Sequence, residues 1–280
     1  MEVEHYIENR QSTLKIAYAS DIHFEFEIQP PNWLPVLPDA PDIFILAGDI
    51  NIGDKAIESV LRISRALPNT NIIFVAGNHE FYHNHHELLL NKYRNALAHN
   101  ERVHFLENES ITIKGVTFLG CTLWTGFDAL PEFPLRISMN DAALSIADFR
   151  LIKTEASQNG SCNMTPDKMR ELYQESRYWL ASQMKKNNPE RTVVVTHFPP
   201  HSSCEHALIK RDVLTNYFLA SCDDLIEKHQ PAAWIYGHNH WSDIKKLGNT
   251  TIASNQLGYS QERDYLPKFN YEIFEIVIDE

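Results

Sequence analysis

Residues 232–240 read AAWIYGHNH. Five apolar residues in a row, with no polar alternation, suit a strand buried on both faces. The chain then turns at Gly237 and at once presents His238 and His240. In extended chain, positions i and i+2 point the same way, so both imidazoles project to one side. That is a metal-ligand geometry, but a pair of histidines needs further ligands from elsewhere in the chain.

The same arrangement recurs. Residues 14–20 (LKIAYAS) run into Asp21-Ile22-His23, and residues 43–47 (IFILA) into Gly48-Asp49. Residues 72–76 (IIFVA) run into Gly77-Asn78-His79-Glu80, and residues 192–196 (TVVVT) into His197. Helical spacing follows over 54–67, 85–99 and 216–229. Strand alternating with helix predicts a parallel or mixed sheet covered by helices. Residues 103–107, 111–114 and 116–120 read as shorter strands of a meander. Residues 245–247, 250–254 and 271–278 read as closing strands. The stretch 124–188 is different, with mixed aromatics and a polar QNGSCN at 158–163. It also carries a helix start at Thr165-Pro166-Asp167, with Thr165 as N-cap and Pro166 as first helical residue. That helix is expected to run to about Lys185. The expected organisation is a single domain over 1–280, with 124–188 as an insertion or cap.

The bulk properties fit this scale. The chain has 280 residues and 43% apolar content, which allows one large domain with a substantial core. No segment approaches the ~18 apolar residues of a membrane span, so no membrane partner is expected. The opening MEVEHYIENR has neither a basic start nor an apolar stretch and does not read as a signal peptide. Cys121, Cys162, Cys204 and Cys222 are widely spaced with no CxxC, which suits free thiols in a reducing cytoplasm. The net charge of −12 argues against a nucleic-acid polymer as partner. It also sits awkwardly with any small anionic substrate.

Ligands in open α/β sheets bind beyond the carboxyl ends of the strands, and every polar cluster above falls at such an end. The convergent candidates are Asp21, His23, Asp49, Asn78, His197, His238 and His240. Nitrogen and oxygen donors without a thiolate suit borderline to hard ions such as Mn, Fe or Zn. Seven ligands are too many for one ion with an open position, and right for two ions sharing one carboxylate. Gly48, Gly77 and Gly237 each precede a candidate ligand, where backbone has to turn sharply and approach closely.

In order, the blocks are DIH, GD, GNHE, a lone histidine and GHNH. This resembles the metallophosphoesterases, or calcineurin-like phosphoesterases, whose pattern is DxH, GD, GNH[DE], His, GHxH. The resemblance spans residues 21–240. It implies a mixed-sheet α/β/β/α sandwich and a metal-dependent phosphoric ester hydrolase with two divalent or trivalent ions. Asp21, His23, Asp49 and His240 would hold one ion, and Asp49, Asn78, His197 and His238 the other. Asp49 would bridge them, and His79 would be the catalytic histidine. Two ions ~3.5–4 Å apart clamp the attacking and leaving oxygens of an in-line displacement. A water held between them becomes hydroxide near neutral pH, and His79 can protonate the leaving oxygen. The ions also ease the charge conflict, because exposed acidic charges fade over about 8 Å at physiological salt.

The departures narrow the branch. Serine/threonine protein phosphatases extend the second block to GDxxDRG, and here residues 48–53 read GDINIG. The arginine is missing, as is the second aspartate, so the carboxylate partner of His79 is not identifiable. Purple acid phosphatases place a tyrosine three residues after the bridging aspartate, where this chain has Ile52, and lack a histidine equivalent to His23. The pattern better resembles the phosphodiesterase-like branch, acting on a small phosphorylated substrate with diesters favoured. The alternatives are a phosphomonoesterase of small phosphorylated metabolites and a non-catalytic metal-binding scaffold. Arg136, Arg150 and Arg211 are candidates for phosphate contact, and His201 or His206 for the site mouth. Trp124 and Phe127 read as packing residues, and Cys204 as inert.

Overall fold

The computed structural model describes residues 12–26, 40–156, 160–270 and 273–278. The stretch MEVEHYIENR, Gln158 and Asn159, and residues 271–272 of the last expected strand lie outside the described residues. Along the chain, β1 (Ser12–Ala19), β2 (Ile43–Ala47), α1 (Asp54–Ala66), β3 (Asn71–Val75), α2 (His86–Leu97) and β4 (Val103–Phe105) form an alternating unit. A hairpin of β5 (Glu109–Ile113) and β6 (Val116–Cys121) follows. Next come α3 (Leu135–Ser145), α4 (Asp148–Leu151), a small hairpin of β7 (Lys153–Ala156) and β8 (Gly160–Asn163), and the long α5 (Pro166–Met184). The chain ends with β9 (Thr192–Thr196), α6 (Asp223–His229), β10 (Ala233–Tyr236), β11 (Ile244–Leu247), β12 (Thr250–Ser254) and β13 (Ile273–Ile278).

Apart from the β7-β8 hairpin, the described strands form two sheets, ordered β13-β1-β2-β3-β4 and β11-β12-β10-β9-β6-β5. β1 through β4 are parallel, as are β12, β10, β9 and β6, while β13, β11 and β5 are antiparallel edges. The period-two geometry of a strand explains the layering. Ile43, Ile45 and Ala47 of β2 meet Val193 and Val195 of β9 in a core between the sheets. Phe44 and Leu46 face the other way, into the layer that holds Ile57, Val60 and Ile63 of α1 and Leu89 and Tyr93 of α2. On the second sheet Leu119, Val194 and Trp234 point outward into the layer containing Met169, Tyr173 and Leu180 of α5. The central strands, such as β2 and β9, are buried on both faces, which is why they read as unbroken apolar runs. The architecture is the expected mixed-sheet α/β/β/α sandwich.

Local departures have identifiable causes. The expected meander does not form: β4 joins the first sheet parallel to β3, and only β5 and β6 pair as a hairpin in the second. The α2 crossover delivers β4 parallel, and the chain changes sheets immediately afterwards. The helix expected over 216–229 is split into a 3-10 turn, Val213–Phe218, and α6. Asp212 caps the turn through Leu214 and Thr215. Extended backbone then intervenes, with Ala220 and Cys222 donating to the Pro199 and Pro200 carbonyls at 2.8 and 2.9 Å. Thr165 does cap α5, accepting from the Lys168 N–H at 3.1 Å.

Candidate metal centre

Every candidate ligand stands where a central strand stops. Asp21 and His23 follow β1, Asp49 follows β2, and Asn78 and His79 follow β3. His197 follows β9, and His238 and His240 follow β10. The first five come from one sheet and the last three from the other, so the site spans the carboxyl edges of both. The chain leaves the strands abruptly here. Asp21, His23, Asp49, His238 and His240 have φ of 53°, 53°, 55°, 81° and 57°, all left-handed. That conformation costs a non-glycine residue roughly 1–2 kcal/mol. Five such residues at one locus mark a place where side-chain direction overrides backbone preference. Gly48, at φ 88°, relieves the neighbouring position. A Cβ on Gly77 would lie 2.7 Å from the Asp49 nitrogen, so only glycine lets β2 and β3 exit side by side.

The structure brings all eight predicted residues together, buried. Asp21, His23 and His240 present donor atoms within 4.8 Å of one another, and so do Asp49, His197 and His238. Asp49 joins the sets: its Oδ2 lies 3.8 Å from His23 Nε2 and 3.4 Å from His197 Nε2. Its Oδ1 is occupied separately, accepting the His79 backbone N–H at 2.9 Å.

Outer acceptors fix which imidazole nitrogens face inward. His197 Nδ1 donates to the Ala47 carbonyl at 2.8 Å. His23 Nδ1 lies 3.0 Å from Glu25 Oε1, and His240 Nδ1 lies 2.6 Å from Glu262 Oε2. With Nδ1 protonated in this way, Nε2 is left as a lone pair pointing into the site. His23 Nε2 and His240 Nε2 then face each other at 3.0 Å. His197 Nε2 and His238 Nδ1 both face the Asn78 Oδ1 acceptor, at 3.1 and 3.2 Å, and His238 Nε2 is buried with no hydrogen-bond partner. Opposed acceptors require a proton or a metal ion between them. Burial would lower His197, but Asp49 and Asp21 raise it to about 9. Burial holds His238 well below its usual value. The thiolate-free donor set fits Mn, Fe or Zn.

Glu80, the last residue of the GNHE block, faces away from the donors and holds the loops. It is fully buried and accepts backbone N–H groups from Asp49 (2.9 Å), Ile50 (2.7 Å) and Gly77 (2.7 Å). Burial and the Asp49 charge raise it to about 8, against the pull of the Ile50 and Gly77 donors. Two buried carboxylates this close favour added positive charge in the site.

The carboxylate partner of His79, unidentifiable from the sequence, is Glu25. Glu25 Oε1 lies 2.9 Å from His79 Nδ1 and is the same oxygen that meets His23. Burial would lower His79, but Asp49 and Glu25 raise it to about 9. Glu25 is held down to about 2 by hydrogen bonds from His23 and His79, in spite of its burial. His79 Nε2 lies 3.2 Å from the Tyr259 hydroxyl, and its ring stacks on Tyr82 with centroids 4.2 Å apart.

Asp148 is a second carboxylate the motifs did not reveal. It comes from α4 and is fully buried. Its Oδ1 accepts from Asn78 Nδ2 at 3.0 Å and from the Tyr82 hydroxyl at 2.9 Å, and its Oδ2 accepts from the Tyr217 hydroxyl at 2.7 Å. Claiming the Asn78 amino group turns the Asn78 carbonyl oxygen toward His197 and His238. Only spacing could have suggested Glu25, which completes an i, i+2, i+4 series with Asp21 and His23. No sequence signal marks Asp148 or Glu262.

A cavity of about 540 Å³ opens over Asp49, Asn78, His79, His238 and His240. Among the described residues, no lysine or arginine lines it. Arg136 pairs with Asp167, Arg150 with the Leu144 carbonyl, and Arg211 with Glu205 and Glu132. His206 does line the cavity, with its ring 4.9 Å from that of Trp241. His201 instead pairs with Asp223 at 3.1 Å. Trp124, Phe127 and Cys204 are core residues, and burial pushes the Cys204 thiol up to about 12.

Comparison with known proteins agrees with this geometry. The chain belongs to the calcineurin-like phosphoesterase family, whose pattern it matches over residues 14–242. It is accordingly a metal-dependent phosphoric ester hydrolase. It is 29% identical, over an alignment of 298 residues, to an uncharacterised protein of Acanthamoeba polyphaga mimivirus, covering 94% of this chain and 98% of that one. Its fold is similar to the crystal structure of phosphopantetheinyl hydrolase from Mycobacterium tuberculosis, with TM-score 0.72 and 17% identity over 94% of this chain and 96% of that one. Among the described residues, no helix is long and apolar enough to cross a membrane.

Proposed function

We propose that this hydrolase cleaves a small phosphodiester at two metal ions. Asp21, His23, Asp49 and His240 would hold one, and Asp49, Asn78, His197 and His238 the other. The observation that carries this reading is the position of Asp49 Oδ2, 3.8 Å from an imidazole of one donor set and 3.4 Å from an imidazole of the other. When bound, such ions acidify a water and withdraw charge from the phosphoryl oxygens.

The remaining work falls to side chains. Asp148 orients the Asn78 amide. Glu25 holds His79 Nδ1, which directs Nε2 toward the cavity. Protonated His79 delivers its Nε2 proton to the leaving oxygen, which takes the place of the Tyr259 hydroxyl. A reducing compartment such as the cytoplasm is inferred from four unpaired cysteines, three of them buried.

The preference for a diester is supported by the absence of lysine and arginine from the described cavity wall. A monoester dianion gains most from a fixed guanidinium fork beyond the metals. A diester monoanion needs less, and Asn78, His79 and the ions can supply it. The test compares kcat/KM for an aryl diester and an aryl monoester with the same leaving group and metal. We expect the diester to be favoured. A monoester preference above about tenfold, or ~1.4 kcal/mol in the transition state, overturns the reading in favour of a phosphomonoesterase of small metabolites.

A further inference from the structure

The cavity above the metal centre is lined by chemically different groups. Its floor is the set of donors already described. Its walls include Ile146, Leu208, Ile209, Phe218 and Tyr265, and the Phe218 ring lies 5.4 Å from that of the candidate ligand His238. Leu208 and Ile209 are each 63% exposed, and Tyr265 is 55% exposed. Large apolar side chains left uncovered singly need no explanation, but here three of them stand at the rim of one concave site. A smaller recess of about 110 Å³ shares Ile209 and Phe218 with this wall and extends it past Leu214 and Leu219.

Beyond the metal donors and His79, the charged groups of the cavity do not offset this character. Asp49 belongs to the donor set, and Glu262 is engaged by His240 and by the Tyr259 backbone N–H at 3.1 Å. His206 is lowered by burial, which favours its neutral form. A substrate group carrying a second phosphate, a sulfonate or a carboxylate would meet no lysine or arginine among the described residues of this wall, and would lose hydration without a cationic side chain in return.

We propose that the cavity selects a phosphodiester monoanion bearing an uncharged, apolar substituent, and that Leu208, Ile209 and Phe218 form the wall that receives it. This rests on the phosphodiesterase reading above and adds a substrate class to it. The wall and the metal donors are parts of one cavity, so a group esterified to a phosphoryl centre on the ions lies within reach of Ile209 and Phe218. Burial against such a wall scales with apolar area. Each added methylene is expected to tighten binding about threefold until the wall is filled.

The test uses the metal-loaded protein and alkyl methylphosphonate monoesters, monoanions that mimic a diester and carry one variable substituent. Calorimetry on the methyl, butyl and 3-sulfonatopropyl esters should show butyl binding at least tenfold tighter than methyl, and sulfonatopropyl weaker than butyl. The exposed double variant Leu208→Ser with Ile209→Ser should reduce the butyl advantage to about threefold or less. Equal or tighter binding of the sulfonatopropyl ester, or a double variant that keeps the full butyl advantage, overturns the proposal. Turnover is measured in parallel on 4-nitrophenyl alkyl phosphates. If none is hydrolysed while calorimetry still discriminates, the catalytic reading fails and the apolar site stands. If all are hydrolysed and calorimetry does not discriminate, the apolar site fails and the catalytic reading stands.

Discussion

Glu25→Gln separates the role of the His79 partner from that of the metal ions. Both histidines meet one carboxylate oxygen, His79 at 2.9 Å and His23 at 3.0 Å. Glutamine has nearly the same shape and keeps an acceptor oxygen, so geometry changes little and the negative charge is lost. A charge-assisted hydrogen bond contributes roughly 1.5–3 kcal/mol and a neutral one roughly 0.5–1.5. The difference is about 1–1.5 kcal/mol per bond, or about a factor of ten. Applied to the imidazolium of His79, this lowers its pKa by about one unit. In the proposed mechanism His79 is an acid, so its rate contribution is present below its pKa and lost as pH rises through it. Lowering that pKa moves the basic limb of the kcat profile to lower pH. The assay is kcat against pH for two diesters, one with a nitrophenol leaving group and one with an alkyl leaving group, at saturating metal. Saturation removes the separate effect through His23, where loss of an outer acceptor typically weakens metal affinity 10–100-fold. The expected result is a loss of about tenfold for the alkyl leaving group, a smaller loss for nitrophenol, and a basic limb about one unit lower. Equal losses for both, with an unmoved limb, would refute the assignment of Glu25 to the acid.

Other outcomes follow from the same geometry. His79→Ala should retain its metals and lose about 10²–10⁴-fold in rate, less for good leaving groups, as leaving-group dependence and elemental analysis will show. Asp148→Ala should weaken binding of the ion beside Asn78 about 10–100-fold in metal titrations, whereas Asp148→Asn, which still accepts from the Asn78 amino group, should recover most of it. Glu80→Ala leaves the buried N–H groups of Asp49, Ile50 and Gly77 unpaired, at about 1–3 kcal/mol each, so thermal melts should show a destabilisation of several kcal/mol. A melting temperature close to the parent's would contradict that role.

The fold and the site were legible in the sequence to different depths. The strands of the sandwich were readable because IFILA and TVVVT are covered on both faces, and only a doubly buried strand tolerates so little polarity. The candidate ligands were readable because each follows the carboxyl end of a strand within four residues, which keeps the motif blocks short and local. Sheet membership was less accessible. Nothing in Val103–Phe105 distinguishes a strand that extends the first sheet from one that begins a hairpin, since the α2 crossover decides it. The partners of the ligands were mostly hidden. Asp148 reaches Asn78 across 70 residues and Glu262 reaches His240 across 22, contacts made by tertiary packing and not by any repeat along the chain. Glu25 was within reach, two residues beyond His23, but its acceptance of His79 depends on the approach of β1 and β3 through β2. The left-handed conformation of five donor-bearing residues also has no sequence signature, because aspartate and histidine adopt it here under constraint from both sheets.

Asp49 is proposed to join two metal ions in one hydrolytic centre. The measurement closest to this proposal is elemental analysis of active protein, coupled to activity as the metal-free chain is titrated with Mn, Fe or Zn, for the parent and for Asp49→Asn. The expected result is two ions per chain at full activity, with Asp49→Asn losing affinity for both. Full activity at one ion per chain or none, or an Asp49→Asn protein that keeps both ions at parental affinity, would contradict the account.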